Sequence, residues 1–383
     1  MKIFDVAIVG GGLIGVASAF ELAGKGLRVV VLDRQQPGRE ASWAAAGMLA
    51  PGPDASASKA LVELGRESFE LYPQFVEAIE EESAGKAASF ARPGTVEAFC
   101  GPFAEQRRDE FIAGHHRFGL KAEAITPESA RKMEPVLGPA VGAAAWLAEE
   151  ATVDPRQLVD AALEASRKRG VEIRPDSAIT SLLLSGDRCE GVTTSDEKIS
   201  AQHTLITAGC FSGRMDREIA RRAPTKPVRG QMLALCPTGP GPARVLRSEK
   251  GYLVPRPDGR VIAGSTLEDA GFEKAVTPDG AQKILRAALE LVPSLAAAEI
   301  VEKWAGLRPG TPDDLPILGP TEIRGLSVAT GHYRNGILLA PVTAKLVAEW
   351  ITTGRAAPGI ETFSPLRLRN VAGEAATRKT VAP

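Results

Sequence analysis

Along the chain, short apolar runs alternate with stretches in which apolar residues recur every three to four positions. Residues 4–9 read as a buried strand, apolar and rich in β-branched side chains. Residues 16–23 follow with alanine-rich helical periodicity, Gly26 ends that helix, and residues 27–32 make a second apolar strand. Downstream, Asp154-Pro155 reads as a helix start, an N-cap with proline at the first helical position. Leu158, Val159, Ala162 and Leu163 give that helix one apolar face, Gly170 ends it, and residues 171–173 begin a strand. Residues 251–264 read as a hairpin turning at Pro257-Asp258-Gly259. Thr277-Pro278 opens another helix, with Ile284, Leu285, Ala288, Leu289 and Val292 on one face, and a further apolar helix is expected over residues 337–351. This alternation predicts an α/β fold. We expect a Rossmann-like parallel sheet with helices, plus a second domain with a mainly antiparallel sheet covered by helices. No internal repeat is evident, and the Pro/Gly-rich residues 237–242 read as a loop.

Between the first strand and its helix stands Gly10-Gly11-Gly12-Leu13-Ile14-Gly15, and the second strand stops at Asp33, 18 residues beyond Gly15. Strand, G-x-G-x-x-G, helix, strand and acid compose a mononucleotide-binding βαβ unit. Gly10 permits the tight turn, Gly12 lets the backbone approach a pyrophosphate, and Gly15 lets helix and strand pack closely. The helix N-terminus, with Leu13 and Ile14 in its first turn, offers free N–H groups and partial positive charge to the phosphates. Asp33 can accept from both ribose hydroxyls. The unit alone does not separate FAD from NAD; an acid at position 33 only disfavours NADP.

At 383 residues the chain exceeds what one core usually organises, so two domains are expected. A net charge of −1 argues against nucleic acid as a partner. The basic excess at Arg367, Arg369, Arg378 and Lys379 reads as a solvated, partly disordered tail over residues 366–383. Cys100, Cys189, Cys210 and Cys236 are scattered, form no C-x-x-C and do not cluster with the histidines, which predicts no metal site and reduced thiols in a cytoplasm. Residues 6–23 could pass for a signal-peptide core, but only Lys2 precedes them, acids flank them and glycines interrupt them, so neither export nor membrane insertion is expected.

Three further segments narrow the choice of nucleotide. Ala41-Ser42-Trp43-Ala44-Ala45-Ala46-Gly47-Met48-Leu49 is a run of small residues that lets a backbone lie against something flat, although alone it could be a loosely packed loop. Residues 202–209 read as a strand running into Gly209. Near the end come Trp304-Ala305-Gly306-Leu307-Arg308-Pro309-Gly310-Thr311-Pro312-Asp313, then Leu315-Pro316-Ile317-Leu318-Gly319, then Ala329-Thr330-Gly331-His332-Tyr333-Arg334-Asn335-Gly336-Ile337-Leu338-Leu339-Ala340-Pro341. Together with the N-terminal fingerprint these resemble the D-amino-acid oxidase family of FAD-dependent oxidoreductases, in particular its glycine-oxidising members of thiamine biosynthesis. The resemblance covers nearly the whole chain up to about residue 363.

The resemblance implies non-covalent FAD, since residues 309–312 hold no cysteine of the kind that tethers flavin in some relatives. It places the cofactor against Gly10, Gly12, Leu13, Ile14, Gly15, Asp33, Arg34, Ala41, Ser42, Ala46, Gly47, Met48, Ile179 and Gly209. The late motif adds His332, Tyr333, Arg334, Asn335, Gly336, Ile337 and Leu338. The polar turn at residues 331–336 feeds the apolar helix, so a helix dipole could stabilise charge on the reduced ring, with His332 a turn residue and not a base. Arg308 lies in an apolar stretch and needs an anionic partner: either a structural ion pair or, as the resemblance implies, the substrate carboxylate. Tyr252 matches the substrate-contacting tyrosine, unless it only bridges core and surface. Arg334 matches a substrate-site position, unless only its backbone matters. No catalytic residue in the acid–base sense is expected. The implied chemistry is oxidative deamination of glycine, sarcosine or a short D-amino acid, with hydride passing to flavin N5 and O2 reoxidation giving H2O2. The alternative is a dehydrogenase passing electrons to a quinone or protein acceptor. The resemblance also implies a homo-oligomer, with a tetramer among the expected forms. The FAD-binding domain is expected from residues 1–80, 145–220 and 300–365, and the substrate domain from 81–144 and 221–299. Leu267 stands where a family member carries methionine, and the similar volume predicts a little-changed pocket.

Overall fold

The computed structural model describes residues 3–53 and 58–368. Its first eight-stranded sheet runs in the order Ile317–Pro320, Leu326–Thr330, Lys198–Ile206, Ile3–Val9, Val29–Leu32, Glu172–Arg174, with Ile179–Ser185 and Arg188–Thr194 appended to Lys198–Ile206. The strands from Leu326–Thr330 to Glu172–Arg174 are parallel. Burial on both faces explains the unbroken apolar character of the first strand. Val6 and Ile8 face helices Leu13–Gly24 and Ala340–Thr353, while Phe4, Ala7 and Val9 pack with Val192, Ile206 and Val328. Lys59–Glu82 and Pro155–Lys168 complete the helical layer. Lys59–Glu82 is the longest helix, and its interior Pro73 masks it in the sequence pattern. The fingerprint helix extends three residues further toward the N-terminus than the expected 16–23.

The second eight-stranded sheet is antiparallel except between Thr95–Cys100 and Val245–Ser248. Its order is Glu299–Gly310, Lys226–Cys236, Val261–Gly264, Gly251–Pro255, Val245–Ser248, Thr95–Cys100, Val141–Leu147, Glu123–Ile125. One face carries Leu233, Leu235, Leu253 and Ala263 beneath helix Pro278–Leu291, whose Ile284 and Ala288 face it as the periodicity predicts. Thr277 caps that helix by accepting from Gly280 N at 3.1 Å. The hairpin turns at residues 257–259, with Gly259 at φ +86°.

Sheet membership moves two expected domain boundaries. Val141–Leu147 and Glu299–Gly310 run in the second sheet, so the cuts at 145 and 300 fall beside or inside its strands. An extended segment rich in Gly and Pro reads equally well in either sheet, and only pairing with Lys226–Cys236 assigns Arg308 to the second. The tail expectation also needs correction at its start. Arg367 clasps Asp313 (2.8 and 3.0 Å) and the carbonyl of Leu315 (2.9 Å), and Leu368 is buried. Residues 369–383, with Arg369, Arg378 and Lys379, lie outside the described residues. Cys189 and Cys210 are buried, Cys100 half-buried and Cys236 exposed. Among the described residues no helix is long and apolar enough to cross a membrane.

Candidate active site

A cavity of about 760 Å³ opens between the two sheets. One end is built by the glycine fingerprint. Gly10, Gly12, Leu13, Ile14, Asp33, Arg34, Ala41, Ser42, Ile179 and Gly209 line it. Gly12 is the N-cap of helix Leu13–Gly24 and brings no side-chain cap, while Ser42 Oγ accepts from Leu13 N at 3.0 Å. A β-carbon at Gly12 would meet nothing nearer than Ser42 Oγ at 3.5 Å, so the helix start stays open to a phosphate. Gly15 does not line the cavity. A β-carbon there would collide with the carbonyl oxygen of Gly10, so this glycine serves the close strand–helix contact and not a cofactor contact. Asp33 accepts from Gly11 N at 2.7 Å and Gln35 N at 3.0 Å, which holds its carboxylate at the cavity edge; burial raises its pKa against the opposing backbone bonds. Arg34 pairs with Glu40 and covers the Phe211 ring at 3.5 Å.

The small-residue run forms the short helix Ala41–Ala44 and the strand Met48–Leu49, with Ala46, Gly47 and Met48 on the cavity. Side chains from elsewhere hold its carbonyls: Trp304 Nε1 donates to Ala44 O at 3.1 Å, Arg256 to Ala46 O at 2.7 Å and Arg156 to Trp43 O at 3.3 Å. It is therefore an anchored backbone and not a loose loop.

The other wall is the open face of the second sheet. Glu97, Arg247, Tyr252, Gly264, Met232 and Trp304 stand in one cross-strand row. Tyr252 donates to Met232 Sδ at 3.4 Å across Gly264, where a β-carbon would strike both side chains. Gly230 likewise leaves space for the Arg308 guanidinium. Arg308 donates to Thr266 O at 3.2 Å and Ser265 Oγ at 2.7 Å. Burial lowers its pKa, Tyr252 opposes that shift and the nearby positive Arg334 adds to it. Among the described residues no carboxylate forms an ion pair with Arg308, so the structural ion pair left open by the sequence is not what holds it. A half-buried cation facing a cavity with only neutral acceptors suits an anionic ligand. Leu267 is 60% exposed and does not line the cavity, so its exchange for methionine has no bearing on pocket size.

His332, Tyr333, Arg334, Asn335, Gly336, Ile337 and Leu338 line the cavity where the sheets meet. The turn is held at several points. Tyr333 N donates to Pro309 O at 3.2 Å, Tyr72 Oη to Ile337 O at 2.9 Å and Ser68 Oγ to Leu338 O at 2.6 Å. His332 is 3% exposed and bonds Thr343 Oγ1 through Nε2 at 3.0 Å, and burial pushes its pKa down to about 3, which suits a neutral turn residue and not a base. The following helix begins at Ala340 and not at 337, because Leu339 N bonds Asn335 O and Ala340 N bonds Ile337 O in preceding turns. Ser68, Tyr72, Met232 and Glu97 are not singled out by the sequence. The one signal among them is an acid, Glu97, inside the apolar strand Thr95–Cys100.

A glycine-rich dinucleotide cradle facing, across the cavity, a sheet that carries a guanidinium with no carboxylate partner among the described residues is an arrangement suited to a flavin-dependent oxidoreductase. The family model described as "FAD dependent oxidoreductase" matches residues 5–350, and the chain belongs to that family. It is 35% identical to glycine oxidase of Pseudomonas putida over 351 residues, 91% of this chain and 94% of the relative. It is also 35% identical to the bifunctional protein ThiO/ThiG of Trichormus variabilis, over 96% of this chain but 56% of that longer protein. The crystal structure of glycine oxidase from Geobacillus kaustophilus superposes with a TM-score of 0.90 at 30% identity, covering 95% of this chain and 98% of that one. The protein is an FAD-dependent amine oxidoreductase.

Proposed function

We propose that this enzyme oxidatively deaminates glycine or another small amine, such as sarcosine or a short D-amino acid, with O2 as electron acceptor and H2O2 as product. Supply of the resulting imine to thiamine thiazole synthesis is the role that the similarity to ThiO/ThiG supports. The observation that carries the reading is Arg308, a guanidinium at the cavity with no carboxylate partner among the described residues. Bound FAD supplies the hydride acceptor. The glycine cradle and Asp33 hold its ADP half, and the anchored backbones at residues 44–48 and 332–338 hold its ring. Attachment is non-covalent in this reading; Cys210 lines the cavity, but burial pushes its thiol up to about 12, far from a reactive thiolate.

In this arrangement Arg308 grips the substrate carboxylate and Tyr252 borders the same site, so the amine and α-carbon are oriented without an acid–base pair. The deprotonated amine releases its α-hydrogen with the bonding electrons, and water then hydrolyses the imine to a 2-oxo acid and ammonia. Aerobic turnover of glycine, sarcosine, D-alanine and D-proline, followed by peroxide release, tests the proposal. Peroxide formed in step with substrate loss supports it. Flavin reduction that needs an added quinone to turn over would establish the dehydrogenase instead.

A further inference from the structure

Beyond Tyr252 the cavity wall continues into a charged cluster that a molecule as small as glycine does not reach. Arg247 stands directly opposite Tyr252 across the strands, and Glu97 opposite Arg247. Arg247 donates through Nε to Glu97 Oε2 and through both terminal nitrogens to Glu150 at 3.1 and 3.2 Å. All three residues line the cavity; burial raises the Glu97 pKa while Arg247 opposes that shift, and with both carboxylates ionised the cluster carries one negative charge in excess. Glu97 is 5% exposed, and its other oxygen, Oε1, accepts from none of the described residues. His115, 2% exposed and on the same lining, bonds the carbonyl of Phe111 through Nδ1 at 3.0 Å. That bond makes Nδ1 the protonated nitrogen and leaves Nε2 as a lone-pair acceptor with no partner among the described residues. A buried acceptor such as His115 Nε2 calls for a donor.

We propose that Glu97, Glu150 and His115 form a second subsite that binds an ammonium or guanidinium group at the far end of the substrate, so that the enzyme also takes amino acids with a basic side chain. The reach is suitable. The strand ending beside Ser265 and the strand carrying Glu97 are three strand spacings apart, about 14 Å. The lean of Glu97 toward Arg247 shortens that span at its far end. Excess negative charge selects a cation over a neutral or acidic group, and the low-dielectric setting strengthens the bond.

The proposal rests on Arg308 as the carboxylate anchor, and the test separates the two. The FAD-loaded enzyme is titrated with acetate, caproate, γ-aminobutyrate, ε-aminocaproate and ω-aminocaprylate, and binding is read from the flavin absorbance spectrum. ε-Aminocaproate is expected to bind roughly tenfold to a hundredfold tighter than caproate, the worth of one charge-assisted hydrogen bond. γ-Aminobutyrate, too short to reach Glu97, is expected to show no such advantage. Glu97→Gln is expected to erase the ratio between the two caproate probes; because a ratio is read, a general loss of affinity cancels. The wild-type chain-length series stands even if that variant does not fold. Equal binding of ε-aminocaproate and caproate, or an advantage that survives Glu97→Gln, would overturn the subsite and leave Arg308 intact. Acetate failing to bind would overturn the Arg308 anchor and the subsite with it.

Discussion

Arg308 shows how far one residue can be read in isolation. A guanidinium in an apolar stretch needs an acceptor, so its importance is legible in the sequence, but whether that acceptor is a protein carboxylate is a question of contacts. Among the described residues Arg308 finds neutral acceptors, Thr266 O and Ser265 Oγ, and no carboxylate. Arg308→Ala is expected to cost roughly 2–5 kcal/mol of substrate binding, since it strands a buried carboxylate. That corresponds to about 30-fold to several thousand-fold in kcat/KM. The purified variant should stay yellow, and unchanged kinetics with every amine tested would remove Arg308 from the substrate site. Gly15 makes a second case. The fingerprint reads it as the residue that lets helix and strand pack closely, and its absent side chain does make room for Gly10 O; the cofactor contact that the resemblance adds is not seen in the cavity lining. Gly15→Ala is expected to destabilise by roughly 1–3 kcal/mol through overpacking. Its thermal midpoint should fall, with FAD affinity falling alongside because the fingerprint turn shifts.

Elements are positioned by bonds that a periodicity cannot display. The helix after the late motif is evident from its apolar run, but its start at Ala340 depends on hydrogen bonds in the turn before it. That turn is held from a distant helix by Tyr72 and Ser68. Tyr72→Phe removes one of the two donors to Ile337 O and leaves the bond from Ala340 N, at an expected cost of about 0.5–1.5 kcal/mol. Denaturant titration should show a lower midpoint with an unchanged slope, and equilibrium dialysis should show weaker FAD binding. Local signals succeed where the bond is local. Asp154 accepts from Arg156 N at 2.9 Å and Gln157 N at 3.3 Å, as its place before Pro155 predicts. It also faces Arg256 at 3.5 Å, a partner no spacing rule reveals. Asp154→Ala should therefore cost more than the ~1 kcal/mol of an N-cap alone. The same change in an Arg256→Met background should cost less, and a double-mutant cycle on unfolding free energy measures the difference.

For the molecule as a whole, acid stability follows from histidines kept neutral by burial. The pKa of His332 is about 3 in the folded protein against an ordinary 6.5, so between those values only the unfolded chain takes up the proton. The sign is then fixed: this contribution is complete above about pH 6.5 and is lost as pH falls toward 3, at about 1.4 kcal/mol per pH unit. His332→Gln, which keeps a side chain able to bond Thr343, should flatten that limb by one proton; an unaltered slope of unfolding free energy between pH 4 and 6 would contradict the assignment. At this scale sequence and structure divide cleanly. By itself the sequence determined the βαβ unit, the mixed α/β class and the family, because a glycine turn, a helix cap and a buried parallel strand each leave their signal within a few adjacent residues. Only the tertiary structure decided which sheet carries Arg308, that Leu267 stands away from the cavity, and that Glu97, Glu150, Arg247 and His115 meet beside Tyr252. Those facts depend on strand order and register between segments far apart in the chain, and cross-strand neighbours leave no periodic trace in the residues that make them.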